Sequence, residues 1–207
     1  MPLTVIDHPL ADHLLTVLRD RTTPPHHFRA ATRELTVILL LEAVRDGPRV
    51  PKHVDTPLEP FDGSEMPDDF VAVPVLRAGL GMLDAVAQLL PEVSVGYIGL
   101  ERNEETLEPA SYYEKLPPVA GKRVLLLDPM LATGGSASRA LSSIKAKAPA
   151  ACRLVCVVAA PEGVARLERD HPDVHVFTAA LDRALNERGY ILPGLGDFGD
   201  RLYGTEP

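Results

Sequence analysis

Residues 124–141 read "VLLLDPMLATGGSASRAL", and this stretch decides the fold. A run of four aliphatic residues is typical of a strand that is buried on both faces. The run ends at Asp128, a small glycine-containing turn follows at residues 133–136, and the chain then becomes alanine-rich and helix-forming. The stretch therefore predicts a strand, a loop and a helix in succession, which is the unit that builds parallel sheets.

The same alternation of strand and helix recurs along the chain. Apolar runs at residues 69–76, 94–100, 152–160 and 174–180 predict strands, and residues 79–90, 136–148 and 161–170 predict helices. The first fifty residues read as two helices, the first with an apolar stripe at Leu10, Leu14, Leu15 and Leu18. We expect an α/β fold with one parallel sheet covered by helices on both faces.

Length and patterning indicate one domain over residues 1–207. We expect its N-terminal part, residues 1–50, to be a helical segment. Residues 101–122 are polar and interrupted by prolines, which predicts a hairpin or flap that projects from the sheet. Residues 185–207 form a glycine-rich tail that is too short for another βαβ unit.

Composition limits the classes of function. Acidic residues outnumber basic ones 29 to 21, and a net charge of −8 argues against a broad nucleic-acid-binding surface. No apolar run approaches the roughly 20 residues of a membrane span, and the N-terminus lacks a signal-peptide pattern. Cys152 and Cys156 lie about 13 Å apart if they share one strand, too far for a disulfide. We expect a cytoplasmic protein without a membrane partner.

The loop after the first quoted strand can bind a phosphorylated sugar. Ligands of open α/β sheets bind beyond the carboxyl ends of the strands, where Asp128 is predicted to lie. Gly134 and Gly135 let backbone amides at a helix N-terminus approach a phosphate, and Thr133 and Ser136 add hydroxyl donors. The carboxylate suits sugar hydroxyls or a hydrated metal. The alternative is an ordinary loop in which Ser136 is the helix N-cap.

At this point a family resemblance becomes clear. "VLLLDPMLATGGSA" resembles the phosphoribosyl-diphosphate (PRPP) loop of type I phosphoribosyltransferases, in the form typical of uracil phosphoribosyltransferases, which have proline at the position of Pro129. The segments "VPVLRAGLGMLD" (73–84), "RNEETLEP" (102–109) and "YILPGLGDFGDRLYGT" (190–205) also resemble that family, in the same order. The resemblance implies a parallel sheet flanked by helices, a β-hairpin flap, and a hood of N- and C-terminal segments over the base site.

The resemblance also implies roles for individual residues. Those expected to contact PRPP are Arg77, Ala78, Gly79, Arg102, Asp128, Pro129, Met130, Leu131, Ala132, Thr133, Gly134, Gly135, Ser136 and Asp197. The expected catalytic residues are Asp128 and the two pyrophosphate-binding arginines, Arg77 and Arg102. Mg²⁺ is the expected cofactor, held mainly by PRPP, with Asp197 as a candidate contact. Without the resemblance, Arg77 reads as an exposed residue at a helix start and Arg102 as part of a solvated charged face.

The tail contains a misleading motif. "GLGDFG" (194–199) satisfies the dinucleotide-binding pattern G-x-G-x-x-G. Only eight residues follow Gly199, so we expect no helix and second strand after it. A glycine-rich loop suits a flat pyrimidine, and by resemblance uracil is read by the main chain of Ile191, Gly196, Asp197 and Phe198. Cytosine would leave buried groups facing the wrong partner.

The implied reaction is uracil plus PRPP giving UMP and pyrophosphate. Two alternatives stay open: a transferase for another nucleobase, and a regulatory protein that binds pyrimidine-operon RNA. The family also implies a homodimer or larger homo-oligomer and a possible GTP activator. Two positions depart from the common pattern: Phe198, where many bacterial members have alanine, and "LLLEA" at residues 39–43. The first could alter the base pocket, and the second could alter subunit contacts or the effector response.

Overall fold

A computed structural model describes residues 1–102 and 109–205, with side chains described for residues 1–100 and 112–205. The helices are α1 Pro9–Arg19, α2 Pro25–Ala43, α3 Leu80–Leu89, α4 Gly135–Lys145, α5 Pro161–Asp170 and α6 Phe198–Tyr203. The strands are β1 Leu3–Val5, β2 Val50–Asp55, β3 Pro60–Glu65, β4 Phe70–Leu76, β5 Ser94–Val95, β6 Tyr97–Arg102, β7 Pro109–Lys115, β8 Arg123–Leu127, β9 Met130–Leu131, β10 Ala151–Ala159, β11 His175–Leu181, β12 Ala184–Leu185 and β13 Ile191–Leu192.

The main sheet is parallel apart from one hairpin. Its strand order is β1-β11-β10-β8-β4-β6-β7, with β5 beside β4 and β9 beside β10. Only the β6–β7 pair in this sheet is antiparallel, among the strands that the structure describes. The predicted α/β class is therefore confirmed.

The central strand β8 explains why the sequence folds this way. Val124, Leu125, Leu126 and Leu127 are fully buried. Because side chains alternate across a strand, Leu125 and Leu127 join the apolar cluster beneath α1, α2 and α3, whereas Val124 and Leu126 join the cluster beneath α4 and α5. One continuous aliphatic run thus supplies both faces of the sheet.

The first helix follows its predicted stripe with one exception. His8 caps α1 by accepting a hydrogen bond from the backbone of Leu10 at 3.1 Å, and Leu14, Leu15 and Leu18 are buried. The Leu10 side chain is instead 48% exposed, because it lies in the first turn and outside the packed face. No helix of the described residues is both long and apolar enough to cross a membrane.

The described residues form two longer hairpins, one continuous with the main sheet and one separate from it. The predicted flap is the β6–β7 hairpin, which begins at Tyr97 rather than at residue 101 because β6 first extends the sheet beside β4. Residues 103–108 lie outside the described residues. The β2–β3 hairpin was not predicted: its strands are almost wholly exposed, so they carry no burial pattern in the sequence.

Candidate active site

A cleft of about 210 Å³ opens at the carboxyl ends of β4 and β8. Its position agrees with the expected one for a ligand of an α/β sheet. Most of the predicted loop residues share its wall. The residues that line it are Val75, Leu76, Arg77, Ala78, Leu100, Asp128, Met130, Leu131, Ala132, Thr133, Gly134, Gly135, Ser136 and Ala137.

The N-terminus of α4 forms one wall of this cleft. Gly134 is the N-cap and has φ 74°, a left-handed conformation that favours glycine. No side chain caps the helix, so the alternative in which Ser136 is the N-cap is wrong. Thr133 Oγ1 accepts only a long bond of 3.5 Å from the Gly135 amide. The first-turn amides therefore lack intrahelical partners and suit a phosphate.

A glycine outside the predicted motif supports this turn. Gly163 lies in the first turn of α5, and an added Cβ there would stand 2.5 Å from the Ala132 carbonyl oxygen and 2.9 Å from that of Leu131. The loop 131–134 therefore lies directly on the backbone of α5. The sequence analysis did not identify Gly163 as part of the site. The available signal was a single glycine within a predicted helix, where glycine ordinarily costs stability and therefore indicates a close contact.

Asp128 is the buried carboxylate of the cleft. It follows β8, its amide donates to the Val155 carbonyl at 3.2 Å, and the residue is 9% exposed. Burial raises the pKa of its carboxyl to about 6, and a hydrogen bond from the Met130 amide opposes part of that rise. The carboxylate therefore lies almost buried at the strand end, where it can accept hydrogen bonds from the hydroxyl groups of a ligand.

The loop after β4 places Arg77 and Ala78 on the opposite wall. The Leu76–Arg77 peptide bond is cis. The Arg77 side chain is 63% exposed, and its Nη2 lies 3.9 Å from Asp200 Oδ1. Gly79 does not line the cleft: its amide donates to the Val75 carbonyl, and a Cβ would stand 2.3 Å from the Leu127 carbonyl oxygen. Gly79 thus allows the loop to pack against the strands.

Arg102, the other predicted arginine, ends strand β6. Its backbone pairs with Pro109 of β7, the last strand pair of the flap before residues 103–108. Its side chain lies outside the described residues. The predicted role at the pyrophosphate therefore stays a prediction, although Leu100 on the same strand does line the cleft.

The tail lies beside the cleft rather than in its wall. Tyr203 of α6 donates its hydroxyl hydrogen to the Arg77 carbonyl oxygen at 3.1 Å. At the other side, a Cβ on Gly189 would be 3.8 Å from Thr133 Cγ2. The tail therefore approaches both walls, but Ile191, Gly196, Asp197 and Phe198 do not line the cleft itself.

The last predicted motif leads into a short helix. Helix α6 begins at Phe198, and no strand follows it within the described residues, so the helix-and-strand unit that a dinucleotide site needs is not formed there. Asp197 is its N-cap, accepting from the Asp200 amide at 3.0 Å. The Phe198 ring is buried edge-on against Phe28 with centroids 5.0 Å apart. The Phe198 side chain therefore belongs to the core and not to the wall of the cleft.

The sequence of the chain matches a family model over almost its whole length. The family model for uracil phosphoribosyltransferase (UPRTase) matches residues 5–205. The chain belongs to this family. A Dictyoglomus thermophilum uracil phosphoribosyltransferase is 50% identical over 98% of this chain and 99% of its own length. The Thermus thermophilus protein of that name is 48% identical over the whole of both chains.

Solved structures agree with the sequence comparison. A structure of an Aquifex aeolicus protein has a TM-score of 0.94 and 40% identity, and the match covers 99% of both chains. A Bacillus anthracis hypoxanthine-guanine phosphoribosyltransferase has a TM-score of 0.51 with 12% identity, over 76% of this chain and 80% of that one. The second match shows the shared type I phosphoribosyltransferase fold alone.

The two departures from the common family pattern have structural explanations. Phe198 fills the core against Phe28, so its size is accommodated away from the cleft. In the "LLLEA" segment, Leu39 and Leu40 lie on the buried face of α2, whereas Leu41 is 58% exposed. The second departure therefore includes one apolar side chain at the surface.

Proposed function

We propose that this chain transfers the phosphoribosyl group of PRPP to uracil, giving UMP and pyrophosphate. The uncapped N-terminus of α4 facing Asp128 across one cleft is the observation that carries the proposal. Membership of the uracil phosphoribosyltransferase family supports it. The first-turn amides of α4 hold the sugar 5-phosphate, and Asp128 accepts hydrogen bonds from the ribose hydroxyls.

In the proposed reaction the bond between ribose C1 and the pyrophosphate oxygen breaks as a ring nitrogen of uracil attacks C1. The transition state is cation-like at the ribose, and the electron pair leaves with pyrophosphate. Arg77 and Arg102 stabilise that leaving group, and the Asp128 carboxylate lies near the developing positive charge. The flap closes over the diphosphate and excludes water.

Mg²⁺ enters this scheme as part of the PRPP complex. Among the described residues, no cluster of three or more acidic, histidine or cysteine side chains could hold a metal by itself. The single carboxylate of Asp128 and the capping carboxylate of Asp197 fit an ion that is held mainly by substrate phosphates. When bound, Mg²⁺ neutralises charge on the departing pyrophosphate.

Uracil is read by the main chain of the tail, at Ile191 and Gly196–Phe198. The left-handed φ of 81° at Gly196 supports a backbone turned to present its polar groups. Direct assay tests the function: the protein with PRPP, Mg²⁺ and uracil should form UMP and pyrophosphate. Competition among uracil, cytosine, hypoxanthine and guanine separates this proposal from a transferase for another base.

The regulatory alternative has less support. A protein that grips operon RNA needs a basic face, whereas this chain has a net charge of −8. Binding to pyrimidine-operon RNA at low salt, without transferase activity, would favour the alternative.

The family's possible GTP activator has a candidate location. A cavity of about 440 Å³ between α2, α3 and α6 is lined by His26, Arg29 and Arg33, among other residues. These cationic and hydrogen-bonding groups suit a nucleotide phosphate. Tyr203 lines the same cavity and donates to the Arg77 carbonyl, which supports an effect on the cleft. Adding GTP to the transferase assay tests this proposal.

We also propose that the chain forms a homo-oligomer. The β2–β3 hairpin exposes Leu58 to 95% and Phe61 to 58%. Large apolar side chains on an exposed hairpin suit contact with a second copy.

A further inference from the structure

The base-reading loop of the tail is fixed by one glycine with an unusual set of partners. Gly194 has φ 58°, and an added Cβ would stand 2.2 Å from the Ile191 carbonyl oxygen. The chain therefore folds back tightly on Ile191 at this point. Gly194 lies between Ile191 and Gly196, two of the positions whose main chain is proposed to read uracil.

Both backbone groups of Gly194 are bound by a single ion pair. The Gly194 amide donates to Asp182 Oδ2 at 2.9 Å, and its carbonyl oxygen accepts from Arg19 Nη1 at 2.7 Å. Arg19 and Asp182 also bind each other through two hydrogen bonds, of 2.9 and 2.6 Å. The three residues form a closed ring of hydrogen bonds.

The pair is anchored to the rigid part of the fold. Arg19 is the last residue of α1, and Asp182 follows β11 with its amide bonded to the Ala159 carbonyl at 2.8 Å. Asp182 is 6% exposed, and the Arg19 side chain is 24% exposed. A two-pronged arginine–carboxylate contact in such surroundings fixes geometry more tightly than a single bond does.

Neither residue of the pair lines the described cleft, so their contribution is indirect. The neighbouring carbonyl, that of Leu195, is held by Arg201 Nη1 at 2.8 Å, and this bond fixes the loop on its other side. The loop is therefore held in one conformation before any ligand binds. Main-chain recognition depends on such preorganisation, because a shift of about 1 Å displaces every donor and acceptor together.

From these contacts we infer that Arg19 and Asp182 are positioning residues that set the selectivity of the base site. The inference rests on the proposed function. Loosening the ring lets the Gly194 backbone shift, so that the groups around Ile191 and Gly196 no longer match uracil. The 5-phosphate and pyrophosphate walls, built on α4 and on the loop after β4, stay in place.

The test compares two conservative variants by steady-state kinetics. Asp182→Asn keeps an acceptor for the Gly194 amide but turns a donor or a neutral oxygen toward Arg19. Arg19→Lys keeps the charge and loses the forked contact. Each should raise the KM for uracil about tenfold to a hundredfold and leave the KM for PRPP within about twofold. The preference for uracil over cytosine in kcat/KM should fall in parallel.

A double variant and a matched control make the test specific. Because the two residues act as one unit, the double variant should be little worse than either single variant. The control is Arg123→Lys at the start of β8. The partner of Arg123 is Asp69, the residue before β4, and the Arg123 side chain is 28% exposed. This control should lower the melting temperature without changing the KM for uracil.

Two results would overturn the inference: an equal rise in the KM for both substrates, or a loss of thermal stability with unchanged base selectivity. If Asp182→Asn yields no folded protein, Arg19→Lys gives the same readout. Failure of the proposed function would be seen earlier and separately, because the wild-type protein would then form no UMP.

Discussion

At the scale of single residues, Asp128 combines a cost in stability with a proposed chemical role. Burial raises the pKa of its carboxyl from the ordinary value of 3.8 to about 6. The folded protein thus binds this proton more tightly than the unfolded chain does. Stability from this group is present at low pH and is lost as pH rises from near 4 to above 6, by about 3 kcal/mol.

Asp128→Asn should therefore separate folding from catalysis. The amide is nearly isosteric and carries no charge, so we expect the melting temperature at pH 7.5 to stay constant or to rise. Turnover should fall by about a hundredfold or more, because the carboxylate near the developing positive charge is gone. Thermal unfolding and kcat of the same preparation check this, and a parallel loss of both would contradict the assignment.

The same carboxyl predicts a pH dependence. In the wild-type protein kcat/KM for PRPP should decline as pH falls below about 6. A protonated Asp128 carboxyl has lost the negative charge that strengthens its hydrogen bonds with the ribose hydroxyl groups. Asp128→Asn should lack this acidic limb. The measurement is kcat/KM from pH 5 to 8 for both proteins; an identical acidic limb in the variant would assign the titration to another group.

At the scale of elements, the junction of the α4 loop with α5 predicts an unusual glycine effect. Replacing glycine by alanine within a helix ordinarily stabilises it by up to about 1 kcal/mol. Gly163→Ala should instead destabilise the protein and raise the KM for PRPP, because its Cβ would push the Ala132 carbonyl and the loop before α4. The KM for uracil should change little.

Gly121→Ala is the control for this variant. Gly121 has φ 71° and nothing within 4 Å of an added Cβ, and it lies in the turn before β8. It should lower stability through backbone strain alone. A change in the KM for PRPP in Gly121→Ala, or none in Gly163→Ala, would contradict contact with the loop as the cause.

The elements also show which parts of the molecule a sequence can predict. The β8–α4 unit can be predicted from the sequence, because a strand buried on both faces requires a continuous aliphatic run and the turn after it requires glycine. The β2–β3 hairpin cannot be predicted in this way. Its strands are exposed and are held by pairing with each other, so they leave no pattern of buried residues in the sequence. The alternative cap at Ser136 is wrong because a left-handed Gly134 already completes the turn before α4.

The place of Asp128 could be predicted from the sequence for the same reason, because it follows a buried strand within a recognisable motif. The role of Asp182 could not be predicted. Asp128 and Asp182 both follow apolar strands, yet only Asp128 belongs to a recognisable motif. The partner of Asp182 is Arg19, 163 residues away in sequence. Local patterns report burial and turns, whereas such a distant contact follows only from the complete arrangement of strands and helices.

At the scale of the whole molecule, the proposed oligomer gives the remaining prediction. Phe61 and Leu58 on the β2–β3 hairpin are exposed, so replacing them costs little in the folded monomer but removes apolar area from a contact between copies. We expect the wild-type protein to sediment at a multiple of 22.4 kDa. The variant with Leu58→Ser and Phe61→Ser should sediment at a lower mass at equal concentration.

Leu10→Ser is the matched control for the hairpin variant, because Leu10 is 48% exposed but lies on α1. Its sedimentation should equal that of the wild-type protein, which would exclude a general effect of surface polarity on association. Circular dichroism of all three proteins should show the same helix content. A wild-type mass of 22.4 kDa would contradict the proposed oligomer. An unchanged mass in the double variant would show that the contact between copies does not involve Leu58 and Phe61 of the hairpin.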